Sequence, residues 1–403
     1  MIYVPSRMGQ LNRRALLRQL QKLGVASRAE LAKALGMSQP TAGKIVDELL
    51  TAGVLEEIEV AETVDKGTGV RGRPGRQLQL NQSRPRLLAI QLGLQETNVA
   101  ALALGIPVAD QWHFTFEIIK NEKNPARTWE KSLRAAAQKI GGQNFLGVLL
   151  SVPGLVDEPS NRILFSPNIH WTEKADLAKT VRRIWNVPVL LVQEERALAL
   201  GHHLANPASE DFLLVDFGEG VGGAVIVGGK PLPSPLPISG EIGHTPVLGN
   251  RRLCGCGAVG CMETLVSLRG LLESFATATC GKKNSWAQLR EHISAHGLEA
   301  WLARSLDAAA VAIAGSLNVL GLRRVVITGS LTELPPSVLA HLSAAVQNGS
   351  MWAKFGSVEC TAAPRRRTAG LIAIGIDRMV VPDSFPQKLS LTKSRPKPGA
   401  QNP

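Results

Sequence analysis

No run of apolar residues reaches the roughly 18 positions that a bilayer span requires, so no membrane-crossing segment is expected. The first 30 residues also lack a signal-peptide layout, because Arg13, Arg14 and Arg18 interrupt every apolar stretch. A cytoplasmic protein is the expectation. Cysteine is scarce, five in 403 residues, and three of the five crowd between Cys254 and Cys261. In a reducing compartment that clustering points to a metal rather than to disulfides. No solenoid-type short repeat is present. The last 18 residues carry no acid, only Lys388, Lys393, Arg395 and Lys397 among Pro and Ser, so 386–403 reads as a disordered basic tail.

What is there suits two or three folded domains: 403 residues, 44% hydrophobic and 19% charged. The net charge of +12 is unevenly placed, with eight basic side chains against three acidic ones in residues 1–54. A basic N-terminal module implies a polyanionic partner such as nucleic acid.

That module, 1–82, reads as helix, helix-turn-helix and hairpin. Leu16, Leu20 and Leu23 recur at helical spacing up to Gly24. Ser27 with Glu30 makes a capping box for a second helix that ends at Gly36. Ser38 caps a third, with Pro40 in its first turn and Ile45, Val46, Leu49 and Leu50 inward. Val54–Ile58 and Gln77–Leu80 alternate as the strands of a wing. A recognition helix sets its N-terminal side chains against base edges, which makes Ser38, Gln39, Thr41, Ala42 and Lys44 the candidate DNA contacts. Arg71 and Arg73, spaced by Gly and Pro, form an extended strip that suits a minor groove, with a solvated turn between domains as the alternative.

Beyond residue 83 the character changes to α/β. Strand-like runs at Leu87–Ile90 and Val99–Leu102 alternate with helical stretches at 127–140 and 174–185, and helical periodicity returns at Met262–Ala276 and Trp301–Leu320. Units starting near 87 and near 212 look like two related lobes. Asp216–Gly223 is a Gly-rich turn that either cradles a phosphate or joins two strands tightly. His244, Cys254, Cys256 and Cys261 supply one imidazole and three thiolates, a full tetrahedral set for a structural Zn2+ with no open position. Cys280 and Cys360 have no partner spacing and are expected in the core.

Together these residues resemble the ROK family of repressors, open reading frames and sugar kinases, and within it the regulator branch. Glu241–His244 is similar to the family's E-x-G-H motif, and Cys254–Glu263 to its C-G-C-G-x-x-G-C-x-E motif. Ser151–Gly154, Phe165–Asn168 and Gly218–Gly223 match less specifically, and the N-terminal winged helix is an arm the kinases lack. The resemblance implies a two-lobed, actin-like and hexokinase-like (ribonuclease H-like) body with a sugar in the cleft. It implies a small lobe over 83–194, completed by a C-terminal helix near 366–380. A larger lobe over 195–365 would carry the zinc loop and an oligomerisation surface. Asn168, Gln193, Glu194, Glu241, His244 and Glu263 are the implied sugar contacts, with His244 shared between zinc and sugar.

The kinase machinery departs from the family pattern. Gln193 and Glu194 stand where kinases carry Asn and the Asp general base, so Glu194 is a degraded base position. Gln91–Gln95 lacks the carboxylate of the first phosphate turn, and Glu219 replaces a hydroxyl residue in the second. The expectation is therefore not an enzyme but a sugar-responsive DNA-binding regulator, a repressor of carbohydrate-metabolism genes; an active sugar kinase fused to a DNA-binding head is the alternative. Its implied partners are an operator duplex, a sugar or sugar phosphate, and its own copies as a homodimer or homotetramer. A sugar-transporter component is implied as a protein partner by regulators of the same branch.

Overall fold

The computed structural model describes residues 5–58, 76–105, 111–118, 122–141, 144–234, 236, 238–279, 281 and 285–381. Arg71, Arg73, Cys280 and the tail 386–403 lie outside the described residues.

The head comprises α1 (Pro5–Leu23), β1 (Val25–Ser27), α2 (Arg28–Ala34), α3 (Gln39–Thr51), β2 (Leu55–Ile58) and β3 (Gln77–Leu80). Leu16, Leu17 and Leu20 are buried, whereas Leu23, the last of the periodic set, is 47% exposed. The capping box of α2 has both bonds: Glu30 N–H donates to Ser27 Oγ at 3.2 Å, and Ser27 N–H donates to Glu30 Oε2 at 2.7 Å. Ser38 caps α3 and Pro40 sits in its first turn. The strands order as β1-β3-β2, so the wing is a three-stranded sheet. β1 was not expected; three residues are too few for an alternation to be read. Arg28 ties the parts together, reaching Asp47 on α3 and Glu57 on β2, each at 3.0 Å.

The first body sheet contains β4 (Leu87–Leu92), β5 (Glu96–Leu102), β6 (Phe114–Glu117), β7 (Gly147–Val152) and β10 (Val189–Gln193), in the order β10-β7-β4-β5-β6. It is covered by α4 (Pro125–Ile140), α5 (Trp171–Lys174) and α6 (Leu177–Trp185), with a side hairpin of β8 (Leu155–Asp157) and β9 (Arg162–Phe165). After α7 (Glu194–Ala205) comes the second sheet: β11 (Phe212–Phe217), β12 (Val221–Val227), β13 (Lys230–Pro231), β14 (Arg324–Gly329) and β15 (Glu359–Ala362), ordered β13-β12-β11-β14-β15. Its helices are α8 (Glu263–Val266), α9 (Leu268–Ala278), α10 (Trp286–His296), α11 (Ala300–Leu320) and α12 (Pro336–Gly349), and α13 (Arg367–Gly375) runs on into a π-helical turn (Ile376–Val380), the last element among the described residues.

The two sheets repeat one design. In each, the first strand pairs antiparallel with the second and parallel with a later one: β4 with β5 and β7, β11 with β12 and β14. Two related units beginning near 87 and 212 are therefore real in the topology. β7 and β11 are buried along their whole length, as strands covered on both faces must be.

Two helical expectations are corrected. The stretch 174–185 is two helices, because Asp176 caps a new start at Leu177. The stretch Met262–Ala276 is also broken, at Ser267, whose Oγ accepts from Gly270 N–H at 3.1 Å. Asp and Ser at such positions compete for backbone donors and restart a helix. The expectation that no uninterrupted apolar run reaches about 18 residues holds, since Arg304 and Asp307 interrupt α11, yet this one helix is long and apolar enough on average to cross a membrane. In this fold one side of α11 (Leu302, Leu306, Ile313, Leu317) lies in the core of the second unit.

The head is not loosely strung. Leu16, Leu20 and Leu31 share one continuous buried cluster with Leu87, Ala89 and Leu371 of the body. α7 and α13 cross at backbone contact, since a Cβ on Gly201 would stand 1.9 Å from Arg366 O and one on Gly370 would stand 1.8 Å from Ala197 O. Only glycine permits that approach.

Candidate functional site

The E-x-G-H segment folds as a tight helical turn against β12. A Cβ on Gly243 would lie 2.1 Å from Val221 O, so this position requires glycine, and the close approach brings Glu241 and His244 over the strand. Glu263, the first residue of α8, is 3% exposed. Its Oε2 accepts from Val221 N–H at 3.0 Å, and its Oε1 accepts from Asn168 Nδ2 at 3.4 Å. His244 Nε2 lies 3.5 Å from Glu241 Oε2. Burial, then the Glu263 charge, pushes the Glu241 carboxyl up to about 7. Asn168 thus joins Glu263 and His244 joins Glu241, and the Glu263 charge acting on Glu241 couples the two pairs into one polar patch. Gln193 stands apart from it, donating from Nε2 to Ser239 O at 3.1 Å.

The other face of His244 meets the cysteines. One ligand atom from each of His244, Cys254, Cys256 and Cys261 lies within 4.8 Å of all the others. His244 Nδ1 is 3.6 Å from Cys254 Sγ, and Cys256 Sγ is 3.6 Å from Cys261 Sγ. Zn–S bonds of about 2.3 Å in a tetrahedron give edges of about 3.8 Å, so the donor set fits zinc. Burial pushes the Cys254 thiol up to about 12, a cost that a bound cation reverses. Cys360 is half-buried.

Where kinases of similar sequence place phosphoryl-transfer groups, the side chains here are engaged with one another. Glu194, at the start of α7, is ion-paired with Arg367, and Gln91 Nε2 lies 3.5 Å from its Oε1. Asp216 is held in a two-point clasp by Arg365, Nε to Oδ1 at 2.8 Å and Nη2 to Oδ2 at 2.9 Å, and accepts from Thr328 Oγ1 at 2.7 Å. Arg365 fills the gap between two glycine turns: a Cβ on Gly218 would be 2.6 Å, and one on Gly329 2.8 Å, from its Nη2. Burial alone would lower the Arg365 pKa, and the Asp216 charge more than reverses that, so the guanidinium stays charged. Gln95 Nε2 donates to Glu219 Oε1 at 2.7 Å between the two phosphate-type turns. Glu195 packs on Gly222, and burial, then the Glu194 charge, raises its pKa well above the usual carboxylate range.

Arg365, Arg367, Gln95 and Glu195 were missed by sequence reasoning. The run Arg365-Arg366-Arg367 reads as a solvated charge cluster, yet Arg367 is 4% exposed. The one signal was its place directly before an apolar, small-residue helix.

In the head, Ser38, Gln39, Thr41 and Lys44 are exposed at the start of α3. Ser38 Oγ is occupied by capping, accepting from Thr41 N–H at 3.3 Å and bonded to Thr41 Oγ1 at 2.8 Å. Ala42 is fully buried. It belongs to the inward stripe with Ile45, Val46 and Leu49 and cannot reach a base, which corrects its assignment as a DNA contact. Leu50, expected inward, is only half-buried.

Residues 88–374 match the ROK family, and residues 11–56 match a winged helix-turn-helix DNA-binding family. The chain belongs to the ROK family. Among curated relatives, the xylose repressor of Caldicellulosiruptor bescii is 27% identical over 272 residues, 65% of this chain and 65% of that protein. The matched part of this ROK chain thus spans just under two thirds of that relative's length. Among solved structures, a ROK family transcriptional regulator described as a homologue of the Escherichia coli MLC protein superposes with a TM-score of 0.72 at 20% identity, covering 93% of this chain and 98% of that one. The ROK hexokinase of Thermus thermophilus superposes with a TM-score of 0.58 at 20% identity, over 72% of this chain and 97% of its own. These two likenesses show the fold: a hexokinase-like ROK body, here preceded by a winged helix.

Proposed function

We propose that the chain is a sugar-responsive DNA-binding transcription regulator of carbohydrate genes, a repressor, that binds its effector without phosphorylating it. One observation carries the reading. The polar patch suited to sugar hydroxyls (Asn168, Glu241, His244, Glu263) is connected and intact, while Glu194, Asp216 and Glu219 are each engaged by Arg367, Arg365 and Gln95. A triphosphate entering there has to displace Arg365 from Asp216 and meet the Glu219 carboxylate, a repulsion of several kcal/mol once desolvated. Hydroxyl binding needs only a largely dry, polar-lined pocket. Gln193 and Glu194 would border the effector, and a sugar or a sugar phosphate fits this chemistry.

Zn2+ held by His244, Cys254, Cys256 and Cys261 would be structural. It would fix the His244 ring so that Nε2 faces the sugar. The working units would be a head over 1–82, a small lobe over 83–194 completed by α13, and a larger lobe over 195–365. Gln39, Thr41 and Lys44 would read the operator's major groove, with Ser38, Arg71 and Arg73 on the backbone or minor groove. Two-fold assembly, as a homodimer or homotetramer, suits inverted-repeat operators. The cytoplasm is the compartment that suits free thiols and DNA, and a sugar-transporter component is a candidate protein partner.

The test is selection of duplexes from a random library with the full chain, followed by anisotropy titrations with D-xylose, D-glucose, N-acetyl-D-glucosamine and their phosphates. The expected result is a sequence-preferred duplex whose affinity falls at least about tenfold with one of these sugars, a change of about 1.4 kcal/mol. Binding without sequence preference, or sugar-dependent ADP release, overturns the reading.

A further inference from the structure

Helix α13 touches both ends of the regulator. Its first residue, Arg367, pairs with Glu194 at the sugar cleft. Ten residues on, about 15 Å along a helical path, Asp377 is clasped by the head. Arg18 reaches its carboxylate from Nε at 3.1 Å and Nη2 at 2.5 Å, and Arg14 Nε lies 3.6 Å away. Arg14 Nη2 also donates to the carbonyls of Asp377 at 2.8 Å and Val381 at 2.7 Å. Arg14 and Arg18 are one turn apart on α1, so a single face of that helix grips the π-helical turn that continues α13.

The shaft between the two grips is stiff. α13 lies on α7 at glycine contacts, and Gly375 packs against Leu87 and Leu149 of the first sheet. Elsewhere along this face the head is held less closely. A cavity of about 860 Å³ opens between α1 and α7, with Gln10, Lys22, His203 and Lys230 among its walls. The clasp at Asp377 is thus the grip on this side of the head that leads directly to the cleft.

Resting on the regulator reading, we infer that α13, with the π-helical turn that continues it, is the relay between effector and operator, with Arg367 as its sensing end and Asp377 as its output. An effector hydroxyl at Glu194 competes with Arg367 for the carboxylate. Arg367 is almost fully buried, and weakening the ion pair of a buried cation is costly. The relief is movement of α13, which shifts Asp377 against Arg14 and Arg18 and changes how the head is held. Coupling of this kind is reciprocal, so loosening the head end must also loosen the cleft end.

Amide hydrogen exchange on the full chain tests this without DNA or sugar, so a failed regulator reading, seen in the operator assay, is distinguishable from a failed relay. Asp377→Ala removes only a partly exposed carboxylate and leaves the core intact. Expected is exchange faster by roughly fivefold or more not only in 10–23 but also in 367–375 and 194–198, with β4 and β7 unchanged. Glu194→Gln should loosen 10–23 from the opposite end. Loosening confined to the mutated end in both variants overturns the relay, as does a uniform rise across β4 and β7 in Asp377→Ala.

Discussion

Gln95, in the turn between β4 and β5, donates to Glu219, in the turn between β11 and β12, at 2.7 Å. The bond joins the two sheets at the place where a kinase of this fold leaves room for phosphates. The amide and the carboxylate satisfy each other, so the departure at Glu219 is tied to a residue of the first turn and the two turns act as one feature.

Wild-type protein is therefore expected to release no ADP from ATP with any hexose, pentose or N-acetylhexosamine in a coupled assay. Gln91→Asp, Glu194→Asp and Glu219→Thr combined should recover measurable turnover, while Glu219→Thr alone should not. A general base misplaced by about 1 Å costs on the order of a hundredfold, and Glu194 is one methylene too long and paired with Arg367.

One zinc per chain is expected in freshly purified, reduced protein by elemental analysis. Cys256→Ser should lose the metal and lower the melting temperature by far more than Cys360→Ser, because metal affinity is folding free energy for the loop from Glu241 to Glu263. Stoichiometric zinc in Cys256→Ser would contradict the ligand set.

Lys44→Ala and Gln39→Ala should each weaken operator binding by about 1–3 kcal/mol if they make paired base contacts. Ala42→Leu should act differently. It overpacks the head core and costs about 1–3 kcal/mol of stability, read as a lower melting temperature of the head. Specificity changes from Ala42→Ser at unchanged stability would reinstate it as a base contact.

His202 is 8% exposed, edge-on to Phe212 at 5.1 Å, and burial, then Arg366 and His203, hold its pKa down to about 4. The unfolded chain binds a proton near 6.5 and the folded chain does not until about 4. Stability is therefore full above about 6.5 and falls as pH drops through that window, by on the order of 3 kcal/mol. Denaturant midpoints measured from pH 7 to 4 should show that slope, flattened in His202→Gln. An equal slope in the variant would assign it to other groups.

Much of this protein was written in local pattern. Ser27 with Glu30, and Ser38 before Pro40, are short-range chemistry: a hydroxyl three residues from the N–H it accepts from, which no distant contact has to supply. The His/Cys cluster is legible for the same reason, since His244, Cys254, Cys256 and Cys261 fall within one stretch that a single ion could close. Ala42 marks the limit of pattern within a helix. A small residue at the start of α3 fits a groove-facing and a core-facing position equally, and only packing chose the core.

The cleft was decided by tertiary structure. Arg367 reaches Glu194 across 173 positions of sequence, Arg365 reaches Asp216 across 149, and Gln95 reaches Glu219 across 124. Spacing in a sequence carries no information at that range. A run of three arginines is a solvated surface or a buried counter-charge according to where α13 lands. The sequence by itself determined the family, the winged head and the grouping of His244 with Cys254, Cys256 and Cys261, all built from neighbours. Only the folded chain decided which charges are spent on one another, because burial and pairing are properties of the assembled sheets and helices, not of the residues alone.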